Sequence, residues 1–207
     1  MFYKIILENY TFLESFYKHF SHPEGFLLIG IYLYFTWEFN MLPISYYNFS
    51  NNIDLSLISK YLLLQDFLQY SFHRFEHYFS HISPYIYKIS HKFHHKYTNP
   101  CFFEAYSGSI IDTFFMILIP LYITSLIIPL KCLDYIICGN IYSCWLTLIH
   151  SEFYHPWDII FQKIGFGTPA DHHVHHKTYK HNYGHLFMYW DIIFNTYKNP
   201  ELVFENN

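Results

Sequence analysis

Ten histidines in four groups carry the chemistry open to this sequence. His73 and His77 are four residues apart, His91, His94 and His95 stand at offsets of zero, three and four, and His172, His175 and His176 repeat those offsets. His150 and His155 follow an apolar run. Positions three and four apart share one face of a helix, so each group is expected to aim two or three imidazoles at one place. Neutral imidazole binds Fe, Zn, Cu and Ni. A tetrahedral zinc takes four ligands, and this sequence offers more than twice as many. The count suits two metal ions with about five or six nitrogen donors each, and donor type alone does not choose the metal. A merely pH-responsive histidine surface has no reason to repeat one spacing twice. His155 lies five residues beyond His150, off the helical face, and is an additional candidate. His19, His22, His81, His173, His181 and His185 fit no such spacing and read as solvated or supporting groups.

Metal-bound imidazoles donate their other N–H to a carboxylate or carbonyl. Asp66, seven residues before His73 and on the same helical face, is expected to be such an acceptor. Asp171 and Asp191 lie near the third group, and Arg74 and Glu76 flank the first. Asn182-Tyr183-Gly184 reads as a turn, since glycine allows positive φ.

The elements that position these groups are predicted from apolar runs. Residues 2–20 have the pattern of a helix lying in a membrane interface, with acids inside and no small-residue cleavage site, unlike a signal peptide. Runs at 26–47, 55–72, 108–130 and 132–149 approach the roughly 20 residues that a membrane span needs. Pro120 predicts a kink. Ser83-Pro84 and Thr168-Pro169 are helix starts, and the first of these helices is expected to run to about Tyr97, before Asn99-Pro100. The fold class is therefore all-α: an integral membrane four-helix bundle, one domain over 1–207, with a histidine-rich helical cap (groups at 73–95 and 150–176). Lysines 4, 18, 88, 92, 96, 163, 177, 180 and 198, with Arg74, fall on the side of that cap, which makes it and both termini cytosolic by the positive-inside rule.

Composition agrees. Aromatic residues make up 24% of the 207 and charged residues 14%, which excludes a disordered chain. A net charge of −4 with a single arginine, Arg74, argues against a nucleic-acid partner. The four cysteines form no metal or disulfide pattern and read as reduced thiols.

The strings HRFEH (73–77), HKFHH (91–95) and HHVHHKTYKHNYGHLFMYWDIIFNTY (172–197), together with Asp66 before His73-Arg74 and with His150-Ser151, resemble the histidine boxes of the fatty acid hydroxylase/sterol desaturase superfamily. The resemblance covers roughly residues 60–197, and Asn195 stands where many members carry glycine. It implies a four-span membrane oxidoreductase with two iron ions (zinc as an isolation substitute) held by His73, His77, His91, His94, His95, His150, His172, His175 and His176, with O2 as co-substrate. It implies a sterol or fatty-acyl substrate that is hydroxylated or desaturated, and a separate electron donor such as a b-type cytochrome with its reductase, at the endoplasmic reticulum in a eukaryote. An unactivated C–H bond needs such redox chemistry, which acid–base groups do not supply. Two other classes are weighed. A metal transporter would place its ligands near the bilayer midplane, whereas these boxes lie beyond the ends of the apolar runs. A metal-dependent lipid hydrolase, with Glu104 or Glu152 as base, would need fewer imidazoles.

Overall fold

In the computed structural model the chain is mostly helical, and residues 3–4, 13–14, 16–17, 23–96, 100–106 and 108–204 are described. The expected interfacial helix over 2–20 lies largely outside the described residues. Of its length, Tyr3–Lys4 form a short strand (β1), and residues 13–14 and 16–17 are helical. β1 pairs antiparallel with Phe153–Tyr154 (β2), Tyr3 opposite Tyr154. That pairing brings the start of the chain beside the segment that follows His150.

Helix α1 spans Glu24–Glu38. Its 15 residues rise about 22 Å, short of the ~30 Å of a hydrocarbon core. The expected 26–47 run thus divides. Asn40 turns left-handed (φ 49), the amide of Met41 closes back on the Thr36 carbonyl at 3.0 Å, and Pro43 leads into a 3-10 turn at Ile44–Tyr47. The Tyr46 hydroxyl then donates to the Ile128 carbonyl, 2.9 Å away.

Helix α2 runs unbroken from Leu55 to Ile82, 28 residues and about 42 Å. Asp54 caps it by accepting from the Leu57 amide at 3.0 Å, a contact worth about 1 kcal/mol. No proline or glycine interrupts it before Ser83-Pro84, so the apolar 55–72 stretch and the box residues His73 and His77 share one rod. The predicted helix from Pro84 to Tyr97 is shorter than expected. It forms as α3, Pro84–Ile89, breaks at Ser90, and continues as a 3-10 segment, His91–Lys96. The Ser90 carbonyl takes a hydrogen bond from Ser109 Oγ (2.9 Å), which diverts the chain inward and replaces the helical continuation.

Helices α4, Ile110–Ile127, and α5, Cys132–Ile149, are each long and apolar enough to cross a membrane. Their outward faces show Phe114, Phe115, Leu126, Ile127, Ile136 and Ile141. An apolar exterior of this kind suits membrane association. The predicted kink at Pro120 takes the form of a π-turn at Phe114–Leu118, just before the proline. Wide turns of this type relieve the missing N–H and often border functional sites. Tyr46, Ile58, Tyr61, Leu130, Cys138, Tyr142 and Leu186 pack between the helices. Cys101, Cys132 and Cys138 are buried free thiols, and Cys144 is exposed.

Beyond β2 come α6 (Asp158–Lys163), α7 (Pro169–Thr178) and α8 (Tyr189–Ile193). α7 starts as predicted, with a reciprocal cap: Thr168 Oγ1 accepts from the Asp171 amide and Asp171 Oδ2 accepts from the Thr168 amide at 3.1 Å. Asn195 has φ 55, the left-handed region that favours glycine, which accounts for glycine at that place in the resembling sequences.

Candidate metal centre

α2 supplies His73 and His77, the 3-10 segment supplies His91, His94 and His95, the end of α5 supplies His150, and α7 supplies His172, His175 and His176. Their ring nitrogens gather into two clusters. His73, His77, His91, His95 and His175 form the first, and His94, His150, His172 and His176 form the second, each with its nitrogens within 4.8 Å of one another. The clusters adjoin, since the His95 and His176 ring centroids lie 4.7 Å apart.

The expectation that each group serves one place is corrected for both three-histidine boxes. His91 and His95 enter the first cluster while His94 crosses to the second, and His172 and His176 enter the second while His175 crosses to the first. Adjacent helix positions differ by about 100°, so the last two imidazoles of α7 diverge to opposite clusters. His155 lies outside both. Its ring stacks on Trp157 at 5.1 Å and sits 3.5 Å from Asp158 Oδ1.

Several imidazoles have a fixed tautomer. His73 Nδ1 meets the Tyr183 carbonyl at 2.8 Å, His150 Nδ1 the Leu146 carbonyl at 2.7 Å, and His175 Nδ1 the His181 carbonyl at 2.8 Å. A carbonyl only accepts, so each Nδ1 carries the hydrogen and each Nε2 is left with a lone pair. In the first cluster Nε2 of His95 lies 2.9 Å from Nε2 of His77, 2.9 Å from that of His91 and 3.1 Å from that of His175. In the second, Nε2 of His172 lies 3.0 Å from that of His150 and 3.1 Å from that of His176. A hydrogen on Nε2 of His95 or of His172 satisfies one of these contacts at a time; the others bring lone pairs together, an arrangement that a cation between them relieves. Metal–nitrogen distances of about 2.1 Å put neighbouring ligand nitrogens about 2.9 Å apart in octahedral and about 3.4 Å apart in tetrahedral geometry. The residues present therefore fit a metal ion in each cluster.

The predicted supports act one step further out. Asp66 is fully buried and accepts four hydrogen bonds: from the amides of Leu186 (2.8 Å) and Phe187 (3.1 Å), Tyr142 Oη (2.9 Å) and Trp190 Nε1 (3.0 Å). It ties the segment after the third box to α2 and α5 and bonds no imidazole among the described residues. Asp191 accepts from the amides of Tyr183 (2.9 Å) and Gly184 (2.7 Å), and so fixes the carbonyl that orients His73. Asn182 bridges the Asp171 and Lys198 carbonyls and holds the turn whose His181 carbonyl orients His175. Arg74 donates to the Tyr70 hydroxyl at 3.1 Å, which contacts Thr196, itself a donor to Asp191.

Two residues have a larger part than the sequence reading gives them: Asp112, which it assigns no role, and His185, which it places among the solvated or supporting groups. Asp112 of α4 takes His91 Nδ1 at 2.7 Å, with Glu76 Oε2 at 3.3 Å from the same nitrogen. An acid inside an apolar run was the available signal, the same one that pointed to Asp66. Burial, with the Asp112 carboxylate beside it, pushes Glu76 up, which favours its neutral carboxyl and lets the two acids adjoin. The other is His185, whose ring lies parallel to His73 at 5.0 Å and 5.7 Å from His172. Burial, aided by His94 and His91, holds His185 down at about 3.

Residues 58–196 match the fatty acid hydroxylase family. The chain belongs to that family. Within the wider fatty acid hydroxylase/sterol desaturase superfamily it is 50% identical over 193 residues to the alternative squalene epoxidase of Phaeodactylum tricornutum, covering 93% of this chain and 55% of the relative. It is 32% identical over 99 residues to the Delta(7)-sterol 5(6)-desaturases of Candida dubliniensis and Candida albicans, covering 48% of this chain and 24% of each relative. The chain thus spans about half the length of the first relative and a quarter of the others. No solved structure matches.

The buried box histidines of this fatty acid hydroxylase-family chain also set a pH dependence. Burial first, then neighbouring imidazoles, holds His95, His172 and His176 well below the ordinary histidine value. The unfolded chain takes up these protons near pH 6.5 and the folded chain does not. Stability is therefore fully present above pH 6.5 and is lost as pH falls below it, by about 1.4 kcal/mol per pH unit for each such histidine. Metal-stripped protein in detergent is expected to melt at least about 10 °C lower at pH 5.5 than at pH 7.5. Equal melting temperatures would count against neutral buried imidazoles.

Proposed function

We propose that this chain is a membrane-bound, iron- and O2-dependent oxidoreductase that oxidises a lipid of the squalene or sterol class, with one iron in each histidine cluster. The observation that carries the reading is the pair of adjoining imidazole clusters whose nitrogens lie at ligand-to-ligand distances. Iron in such a site supplies the redox chemistry with O2 that the protein's own acids and bases lack. His73, His77, His91, His95 and His175 would hold one ion, and His94, His150, His172 and His176 the other. The protein keeps the Nδ1 hydrogens of His73, His150 and His175 on carbonyls, which leaves Nε2 free to bind. Asp112 does the same for His91.

A cavity of ≈ 40 Å³ adjoins both clusters, lined by His91, His94, His150 and His185 on the polar side and by Ile29, Met116, Ile117 and Leu146 on the apolar side. An apolar lipid chain approaches from that apolar side. In this reading residues 1–207 act as one membrane domain, a four-helix bundle in which α1, the 55–72 part of α2, α4 and α5 lie in the bilayer. The box helices and both ends then face the cytosol, at the endoplasmic reticulum in a eukaryote. Electrons come from a separate carrier of the b-type cytochrome kind. Epoxidation heads the possible reactions because the 50% identical relative is named for it, and hydroxylation and desaturation follow.

Lipid mass spectrometry tests the proposal in a host whose own squalene epoxidation is blocked. Wild type is expected to add 16 mass units to squalene, and His94→Ala to abolish that product. A sterol lighter by two mass units would move the reading to desaturation. Identical lipid pools with wild type and His94→Ala, in a host with a functional donor, would sink it.

A further inference from the structure

His185 is buried, lines the ≈ 40 Å³ cavity together with residues of both clusters, and belongs to neither cluster. Its ring is parallel to that of His73 in the first cluster and 5.7 Å from that of His172 in the second. Its Nδ1 is buried with no hydrogen-bond partner among the described residues. A buried polar atom left unmet costs about 1–3 kcal/mol, so a protein retains one where something else completes it. The cavity is large enough for a water, which needs roughly 10–15 Å³, or for a diatomic molecule.

We propose that His185 is a further catalytic residue, an imidazole that gives a hydrogen bond to the small oxygen co-substrate in the space between the two clusters. The inference rests on the oxidase reading above. A fixed donor aimed where negative charge develops lowers the barrier without reorganising, and it holds oxygen at a defined distance from the apolar side of the cavity. Glutamine at this position keeps an N–H donor of similar reach, whereas phenylalanine keeps the ring and removes the donor.

Azide, a small anion that occupies oxygen sites, is the probe. Iron-loaded wild type, His185→Gln and His185→Phe are titrated with azide by absorbance, and bound metal is counted in each. The expected result is an unchanged metal count, azide affinity about tenfold weaker in His185→Phe, and recovery to within about threefold in His185→Gln. The same order is expected in the fraction of reductant that ends in lipid product. Loss of one metal in His185→Gln would make the residue a ligand and overturn the proposal, as would azide affinity equal to wild type in both variants. If His185→Phe does not fold, His185→Leu takes its place. Wild type that binds metal and azide yet oxidises no lipid would defeat the lipid reading alone, and wild type without metal would defeat both.

Discussion

Replacing His172 and His175 together by alanine is expected to deplete both metal sites, whereas replacing His172 and His176 together depletes one. The two pairs lie on the same helix, α7, and each removes two imidazoles, so their difference isolates the crossing of the box. His175 belongs with His73, His77, His91 and His95, while His172 and His176 belong with His94 and His150. The second pair leaves the five-imidazole cluster whole. The first leaves four imidazoles in one cluster and three in the other, and no cluster intact. Metal analysis of purified protein is expected to give about two ions per chain for wild type, about one for His172→Ala/His176→Ala, and less than one for His172→Ala/His175→Ala. Both variants are expected to lose lipid oxidation by at least about 100-fold, since even residues that only orient ligands cost 10- to 100-fold. Equal depletion by the two pairs would mean that α7 serves a single site.

Asp66→Leu is expected to be among the most damaging single substitutions away from the histidines. Asp66 satisfies two backbone amides, a tyrosine hydroxyl and an indole N–H with no exposure to solvent. Leucine shares its branching at Cγ but is larger, and it strands all four donors, each worth about 1 kcal/mol or more. The expected loss is about 3–5 kcal/mol, which corresponds to roughly 10 °C in melting temperature for a chain of this size. Asp66→Asn keeps one acceptor oxygen and turns an NH2 toward donors, and is expected to recover less than half of the loss. Thermal melts of both variants against wild type check this. A Leu variant within 2–3 °C of wild type would show that the 186–190 segment is held by packing alone.

The nine clustered histidines were legible in the sequence because spacing at three and four is a local property of helices. Their division between two clusters was less so. It depends on Ser90 breaking the second box out of α-helix and on where α7 docks, which are tertiary facts. The roughly 100° between His175 and His176 was nevertheless a readable hint. The end of α1 was also readable in Asn40 and Pro43, but the apolar run masked it. Asp66 drew notice as an acid in an apolar run. Its acceptance of amides some 120 residues away could not be read from a helical face, because long-range partners leave no trace in local periodicity. Asp112 and His185 obeyed the same rule of unexpected polarity and would have been found by applying it evenly.

Every residue from Pro169 to His176 is buried, although six of the eight carry polar or ionisable side chains or a helix-starting proline. On this side the candidate metal centre is closed by the helix, so passage there requires α7 to lift from its bed. In the proposed two-ion enzyme, exchange on that side would be no faster than this opening, a quantity read by hydrogen exchange.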